Sequence, residues 1–569
     1  MNGKSININL STLALLSLGV FWLIFVSYPS CYWFYIIGEI EDYSQFSTTV
    51  NHLFQDTYLN HKIDEYFLSA SHFQFVKAYY IPILIAFLIL NLLSLALMVR
   101  LIKSCGKLSF KAPSLSRKEL LTIGSLLLVW LAYKVFLYYH FPLHIDEVFD
   151  YVYYSKKDIL IRHTYQFTDG IGWANNHVFY TDLSHLLLSL GFPDKLAIRL
   201  PSIVAELILL ICIFSWLQKK GLVKALFSAI LVATSFWAGI YSIQGRSYYL
   251  MALFSVVSYI LFEEYRTSHK TSQLLLLSFI SILAFCTNKL FIIPFTALIL
   301  YALIQYRSFR KTDFRQILLA SSLLAILVGL FYFPVCLVSG WDKIIPRSFT
   351  KEPLQPLVLY METLETMSVI TNANAKAYLI LLLPFISYLF LRKKYTKETK
   401  RLHLFTGLQL FMVIIFSLIM RTYIPFRALI YLNVIFTLLI GFIIYDLSGS
   451  HKKLVLTTCI IIMAANTAFN FKYTWLHRIN QYIYDKLFYA QIDRELEIVK
   501  KHEPQHIFIQ RDLHFHLFYT MLEFPDKTEV YDQMPDVEAQ DIIISSDSTS
   551  TLKILVDSPI EDALILQRE

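Results

Sequence analysis

Charge is what this chain has least of. Only 16% of its 569 residues are Asp, Glu, Lys or Arg, against 56% hydrophobic residues and a mean hydropathy of +0.52. A soluble domain carries about a quarter charged residues, so this composition excludes an ordinary water-soluble fold and points into the bilayer. Cysteine is scarce too. Cys212, Cys286, Cys336 and Cys459 lie in apolar runs and Cys31 and Cys105 near the ends of such runs. No CxxC or paired spacing appears, so neither a disulfide framework nor a zinc site is supported. Internal repeats and low-complexity tracts are absent. The net charge of +8, from 50 basic and 42 acidic residues, falls in short loops between apolar runs. That pattern orients a membrane protein and does not suit nucleic acid.

Apolar segments of roughly 17–25 residues match a hydrocarbon core of about 30 Å. They fall near 10–34, 79–102, 119–139, 200–217, 222–241, 247–264, 272–288, 290–306, 316–338, 377–392, 402–420, 425–446 and 453–471. The first has only Lys4 before it and no small-residue cleavage site, which reads as a retained span. Basic residues alternate strictly from gap to gap. Lys103 to Lys118, Lys219 to Lys224, Arg266 and Lys270, Arg307 to Arg315, Arg392 to Arg401, and Lys452 with Lys453 occupy the even-numbered gaps. By the positive-inside rule the N-terminus is cytoplasmic. Loop 140–198, loop 339–376 and the C-terminal tail then lie outside.

The predicted fold is an all-α polytopic membrane protein of about thirteen transmembrane helices with a small C-terminal extracytoplasmic α/β domain. Residues 1–118 form an N-terminal two-span extension with an outer loop, 119–471 a transmembrane module, and 472–569 the soluble domain. In that last part a helical run (Gln491 to Lys501) precedes strand-like runs beginning at His506, Asp541 and Leu552.

The longest polar segment between spans, His140 to Pro201, holds the chemistry. Asp146, Glu147 and Asp150 follow a span directly, within an aromatic run of Phe149, Tyr151, Tyr153 and Tyr154. Helical spacing puts the three carboxylates on overlapping faces. Like charges so placed raise one another's pKa, which suits proton abstraction or shared ligation of a divalent cation. The bland alternative is a solvated helix start, where acids are favourable. Carboxylates held at a lipid boundary usually have a task, which favours the functional reading. Downstream come Trp173-Ala-Asn-Asn-His177 and an amphipathic stretch, Phe179 to Leu190, with Asp182 and His185 interspersed. Singly, such polar residues are more often caps than ligands.

Cations sit on the short outer turns: Arg246 in Ser242-Ile-Gln-Gly-Arg-Ser-Tyr-Tyr249, Lys289 after Thr-Asn, and Arg421 and Arg427 around Thr-Tyr-Ile-Pro-Phe. Isolated bases there are usually snorkelling anchors. The positive-inside rule disfavours them on outer turns, however, and Arg suits a phosphate. Together they suggest a phosphorylated substrate whose tail lies in the bilayer. Glu206 and Lys134, within spans but near their ends, are further candidates.

A span followed by Asp-Glu, an outer loop with Asn-Asn-His and an Arg-Leu-Pro-Ser opening the next span resembles the GT-C glycosyltransferases. The nearest branch is the bacterial one related to protein O-mannosyltransferases and to the aminoarabinose transferases of lipid A. Gln244-Gly-Arg246-Ser-Tyr-Tyr-Leu is similar to that branch's Ala-Arg-x-Tyr segment, and Pro425-Phe-Arg427-Ala-Leu-Ile-Tyr to its later Pro-x-x-Arg segment. The resemblance covers roughly 119 to 446. The two spans before residue 103 displace the Asp-Glu pair from its usual place after the first span, and Lys289 matches that branch's Lys only loosely. The resemblance implies an integral plasma (bacterial inner) membrane enzyme that uses a polyprenyl-phosphate sugar donor, inverts the anomeric centre, and glycosylates a lipid, glycan or protein acceptor outside. Asp146 would be the general base and Glu147 its support. Arg246 and Arg427 would receive the lipid phosphate, and Asp150, Asn176, His177, Tyr249 and Lys289 would complete the substrate site. Mg or Mn is the cofactor that Asp146 and Glu147 could take.

Two other classes compete. A flippase or transporter for a lipid-linked glycan predicts Gly- or Pro-broken spans in two related halves and polar residues at the bilayer midplane. Neither is present here. A glycan polymerase or ligase would ask less of the Asp-Glu pair and more of outer Arg and His residues.

Overall fold

A backbone in hydrocarbon must satisfy its polar groups within its own segment, so the apolar runs fold as helices. The computed structural model describes residues 6–7, 17, 19–54, 68–103, 109–110, 117–140, 143, 145–164, 177–305, 311–340, 355–372, 378–421, 424–451, 453–454, 456–457, 460–461, 464, 491–510, 513–524, 527–531, 538, 540–546, 552–558 and 563–568. Among them six helices are long and apolar enough to cross a membrane: Gly19–Glu39, Tyr80–Lys103, Asp194–Gln218, Asp313–Phe331, Lys397–Met420 and Arg427–Leu447. Shorter apolar helices stand beside them, including Ile123–Tyr139, Leu222–Ala233, Thr271–Thr287, Lys289–Ile304 and Leu381–Leu391. Most of the expected last span, 453–471, lies outside the described residues.

One boundary differs in a way that matters. The span expected from residue 200 begins at Asp194, after a turn through Gly191 (φ 82°) and Pro193. Asp194, Lys195 and Arg199 are too polar for an apolar-window template, yet their helix opens outside the hydrocarbon, where such residues are at home. Arg199 is therefore already helical, and Pro201 lies inside the helix.

Contacts between loops sort the molecule into two ends. At one end Lys220 pairs with Glu398 (3.6 Å), Arg401 and Arg266 both meet Glu263 (3.0 Å each), and His269 meets Asp313 (2.7 Å). At the other end Arg427 meets Asp146, Arg246 meets Asp150, and Asn288 reaches Ser247. Among the described residues, the base-rich segments 219–224, 266–270 and 392–401 are thus linked at one end, apart from the acidic loop.

The N-terminal helices are joined by a buried hydrogen bond from Ser27 to Asn91 (3.0 Å). They pack on Lys311–Phe331 and against the acidic loop, where Trp33 Nε1 donates to Thr164 (2.6 Å) and Phe25 stacks on His163 (5.9 Å).

The C-terminal part carries helix 491–501 and the helix His514–Glu523 on a five-stranded sheet. Its strand order is Thr528–Tyr531, Ile507–Gln510, Ile542–Ser545, Leu564–Arg568, Leu552–Asp557. The first three strands run parallel and the last two pairings are antiparallel. All three strand-like runs of the sequence are strands. The ten-residue amphipathic helix His514–Glu523 buries His516, Leu517 and Thr520 together.

Candidate active site

Asp146, Glu147 and Asp150 share the six-residue helix Ile145–Asp150, which continues into a π-helical turn, Tyr151–Ser155. Such turns widen a helix and recur at functional sites. The three acids do not pool their charge. Each has its own arginine, and the three arginines come from three distant segments.

Glu147 is buried and held by Arg199, whose Nε and Nη2 donate to its two oxygens at 2.9 and 3.0 Å. The Gly245 N–H adds a third bond at 2.6 Å. Only glycine fits there: a Cβ would lie 2.2 Å from Ile198 Cγ2 and 2.9 Å from Glu147 Oε1. Asp150, also buried, accepts from Arg246 Nη1 at 3.3 Å. The same nitrogen donates to the backbone carbonyl of Asp146 at 3.2 Å. Asp146 Oδ2 accepts from Arg427 Nη1 at 2.6 Å, and this is the most exposed of the three pairs, with side chains 17% and 32% accessible. So two acids are buried anchors in this arrangement, and the third, Asp146, is partly accessible.

Burial pushes the Asp150 carboxyl up to about 7, with the charge of Arg246 opposing and that of Asp146 adding a little. Desolvation, more than the expected crowding of like charges, is what perturbs this cluster. His177 is buried beside it and packs edge-on against Tyr248 (5.5 Å). Burial, then the charges of Arg246 and Arg427, hold its imidazole well below the ordinary range, so the ring is neutral near pH 7. Its Nε2 has no hydrogen-bond partner among the described residues. Lys289 acts on His177 electrostatically, and its Nζ lies buried 5.7 Å from the Tyr332 ring centre without a hydrogen-bond partner among the described residues.

Of the adjacent tyrosines, Tyr248 meets His177, whereas Tyr249 is fully buried and its hydroxyl lies in the field of Glu206. Glu206 itself pairs with Lys134 (2.6 Å) and accepts from Trp130 Nε1 (3.0 Å), while Lys134 reaches Ser242 (2.6 Å). Those two intramembrane charges serve each other and tie down the turn that carries Arg246. Asp182 is likewise engaged, by Arg162 (2.8 Å) and His163 (2.9 Å). Arg421 is exposed and ends its helix with a left-handed residue. Asn176, together with Trp173 and Asn175, lies outside the described residues.

Sequence reasoning singled out Asp146, Glu147, Asp150, His177, Arg246, Lys289 and Arg427, and all seven gather at one end of the helices. It missed Arg199 and Gly245 as partners of Glu147. The Arg-Leu-Pro and Gln-Gly-Arg segments were the available signal. A divalent cation does not fit the pair proposed for it. Glu147 spends both oxygens on Arg199 and Gly245, and no group of three or more His, Cys, Asp or Glu is gathered for a metal among the described residues.

Residues 179–333 match the family model of the dolichyl-phosphate-mannose-protein mannosyltransferases. That segment of the chain is similar to this mannosyltransferase family, in agreement with the resemblance seen in the sequence. No curated protein and no solved structure matches the chain. The matched segment contains Arg199, Arg246 and Lys289; the acid helix precedes it and Arg427 follows it.

Proposed function

We propose that the chain transfers a sugar from a polyprenyl-phosphate donor to an acceptor hydroxyl on the extracytoplasmic side of the plasma (bacterial inner) membrane. Asp146 is the general base. The observation that carries this reading is the single accessible carboxylate of the acid helix, Asp146, bonded to Arg427 at 2.6 Å with Arg246 one carbonyl away. A base and two cations stand within one side chain's reach, as displacement of a phosphate by a hydroxyl requires.

In the reaction the donor phosphate draws Arg427 away and frees Asp146 Oδ2. The acceptor hydroxyl gives its proton to that oxygen as its own oxygen forms a bond to the anomeric carbon. The bond from that carbon to the phosphate oxygen breaks with its electron pair on the leaving group. The lipid monophosphate thereby gains one negative charge, which Arg246 and Arg427 stabilise, and a single displacement inverts the anomeric centre. His177, neutral near pH 7, and Lys289 lie near the same arginines and suit the sugar and phosphate respectively. The gathering of bases at the opposite end supports an outward-facing site and a cytoplasmic N-terminus. The acceptor is a hydroxyl of a lipid, glycan or protein.

The test is transfer from a polyprenyl-phosphate sugar pool in reconstituted membranes, comparing wild type with Asp146→Asn. The mutant should insert normally and lose activity on the order of a hundredfold or more, the usual cost of a removed base. Near-normal transfer would remove Asp146 from the chemistry. Movement of the lipid-linked sugar across the membrane without transfer would make the protein a transporter.

A further inference from the structure

A helix of six residues does not hold itself together, because nucleation costs more than so few backbone bonds return. The acid helix Ile145–Asp150 therefore takes its place from its neighbours. On the membrane side these are Arg199, Gly245 and Arg246. On the outer side the neighbour is the C-terminal part of the chain: the helix His514–Glu523 packs on the acid helix and on the π-helical turn that follows it.

One polar bond fixes that contact. The buried Tyr519 hydroxyl donates to the backbone carbonyl of Leu143 at 2.9 Å, across 376 residues of sequence and three residues before Asp146. Leu143, partly buried, precedes the helix, so the helix offers its carbonyl no partner and Tyr519 supplies one. Tyr519 is itself immobilised. Its helix is tied to helix 491–501 by His516 Nε2 and Glu495 Oε2, 3.0 Å apart and both buried, and it rests on strands Ile507–Gln510 and Thr528–Tyr531.

We infer that Tyr519 is a positioning residue: through the Leu143 carbonyl, the C-terminal domain sets where the Asp146 carboxylate stands. The domain is thus part of the active site without touching substrate. The inference rests on Asp146 as the base, and a displacement of about 1 Å at a reacting group costs on the order of a hundredfold in rate. Removing one hydroxyl leaves packing intact and so should cost less, about tenfold.

The experiment uses full-length protein in reconstituted membranes and the single variant Tyr519→Phe, with two readouts. In sugar transfer, kcat should fall about tenfold while KM for the polyprenyl-phosphate sugar stays within about twofold, the signature of a misplaced base in an intact donor site. In amide hydrogen exchange, the backbone of 145–150 should exchange several-fold faster than in wild type, with the spanning helices unchanged. Wild-type exchange in 145–150 would overturn the inference, and so would wild-type kcat at equal amounts of inserted protein. Exchange needs no turnover. If Asp146→Asn proved fully active, the base assignment would fall, and the exchange result alone would still decide whether Tyr519 holds the acid helix.

Discussion

Arg427 and Asp146, 281 residues apart in sequence, meet at 2.6 Å with both side chains partly accessible. In the proposed reaction this is the pair that a phosphate and a hydroxyl would have to part. Partly exposed ion pairs contribute little to stability, so this one is cheap to open. A phosphate that offers more acceptor oxygens to the guanidinium can displace the carboxylate.

Arg427→Ala should therefore weaken donor binding more than it harms the fold. Losing hydrogen bonds to a charged group costs about 1.5–3 kcal/mol, or roughly ten- to a hundredfold in KM for the polyprenyl-phosphate sugar. Arg427→Lys should recover part of that, because lysine keeps the charge and loses the paired geometry. Steady-state transfer in reconstituted membranes reads both. A variant with unchanged donor KM would show that Arg427 only covers Asp146.

Asp150 gives a pH dependence with a definite sign. Its carboxyl, raised by burial to about 7, is mostly protonated below that pH and ionised above it. Once ionised it holds Arg246 more tightly and competes with donor phosphate for the same guanidinium. Donor KM should then rise as pH increases through about 7, and Asp150→Asn should abolish the rise and keep KM low. Stability runs the same way. The folded-state pKa lies above the unfolded one, so the folded protein binds the extra proton between about 4 and 7 and loses stability as pH climbs through that window. Asp150→Asn should flatten the slope. A KM profile identical in wild type and Asp150→Asn would place the titration elsewhere.

How far the sequence could go follows from the range of each interaction. The acids and the outer arginines were legible because charge at a lipid boundary is costly and stands out against apolar runs. Their pairing was not legible: Glu147 with Arg199 and Asp146 with Arg427 join segments whose proximity only the packed helices create. Arg199 was hidden by its neighbours Leu200 and Pro201, which read as the opening of a span, whereas the helix had begun at Asp194. Tyr519 had no local signal at all, since its partner is a backbone carbonyl 376 residues away.

The Glu147–Arg199 pair makes the opposite case from Arg427 and Asp146. Both side chains are buried, the two bonds are parallel, and the Gly245 N–H completes the carboxylate. Arg199→Ala leaves a buried charge with one backbone donor, and breaking such a pair costs about 3–5 kcal/mol. We expect that variant to extract poorly and to melt well below wild type in detergent. Replacing both partners by apolar residues of similar volume, Glu147→Leu with Arg199→Met, should restore most of the lost stability, because neither charge then remains to be desolvated. It should not restore transfer. Gly245 would lose its acceptor, and the turn carrying Arg246 would lose its tie to the acid helix. Thermal unfolding and sugar transfer measured on the same preparations separate these effects. A double variant that both folds and transfers would show that the pair supports the fold and has no part in aligning the site.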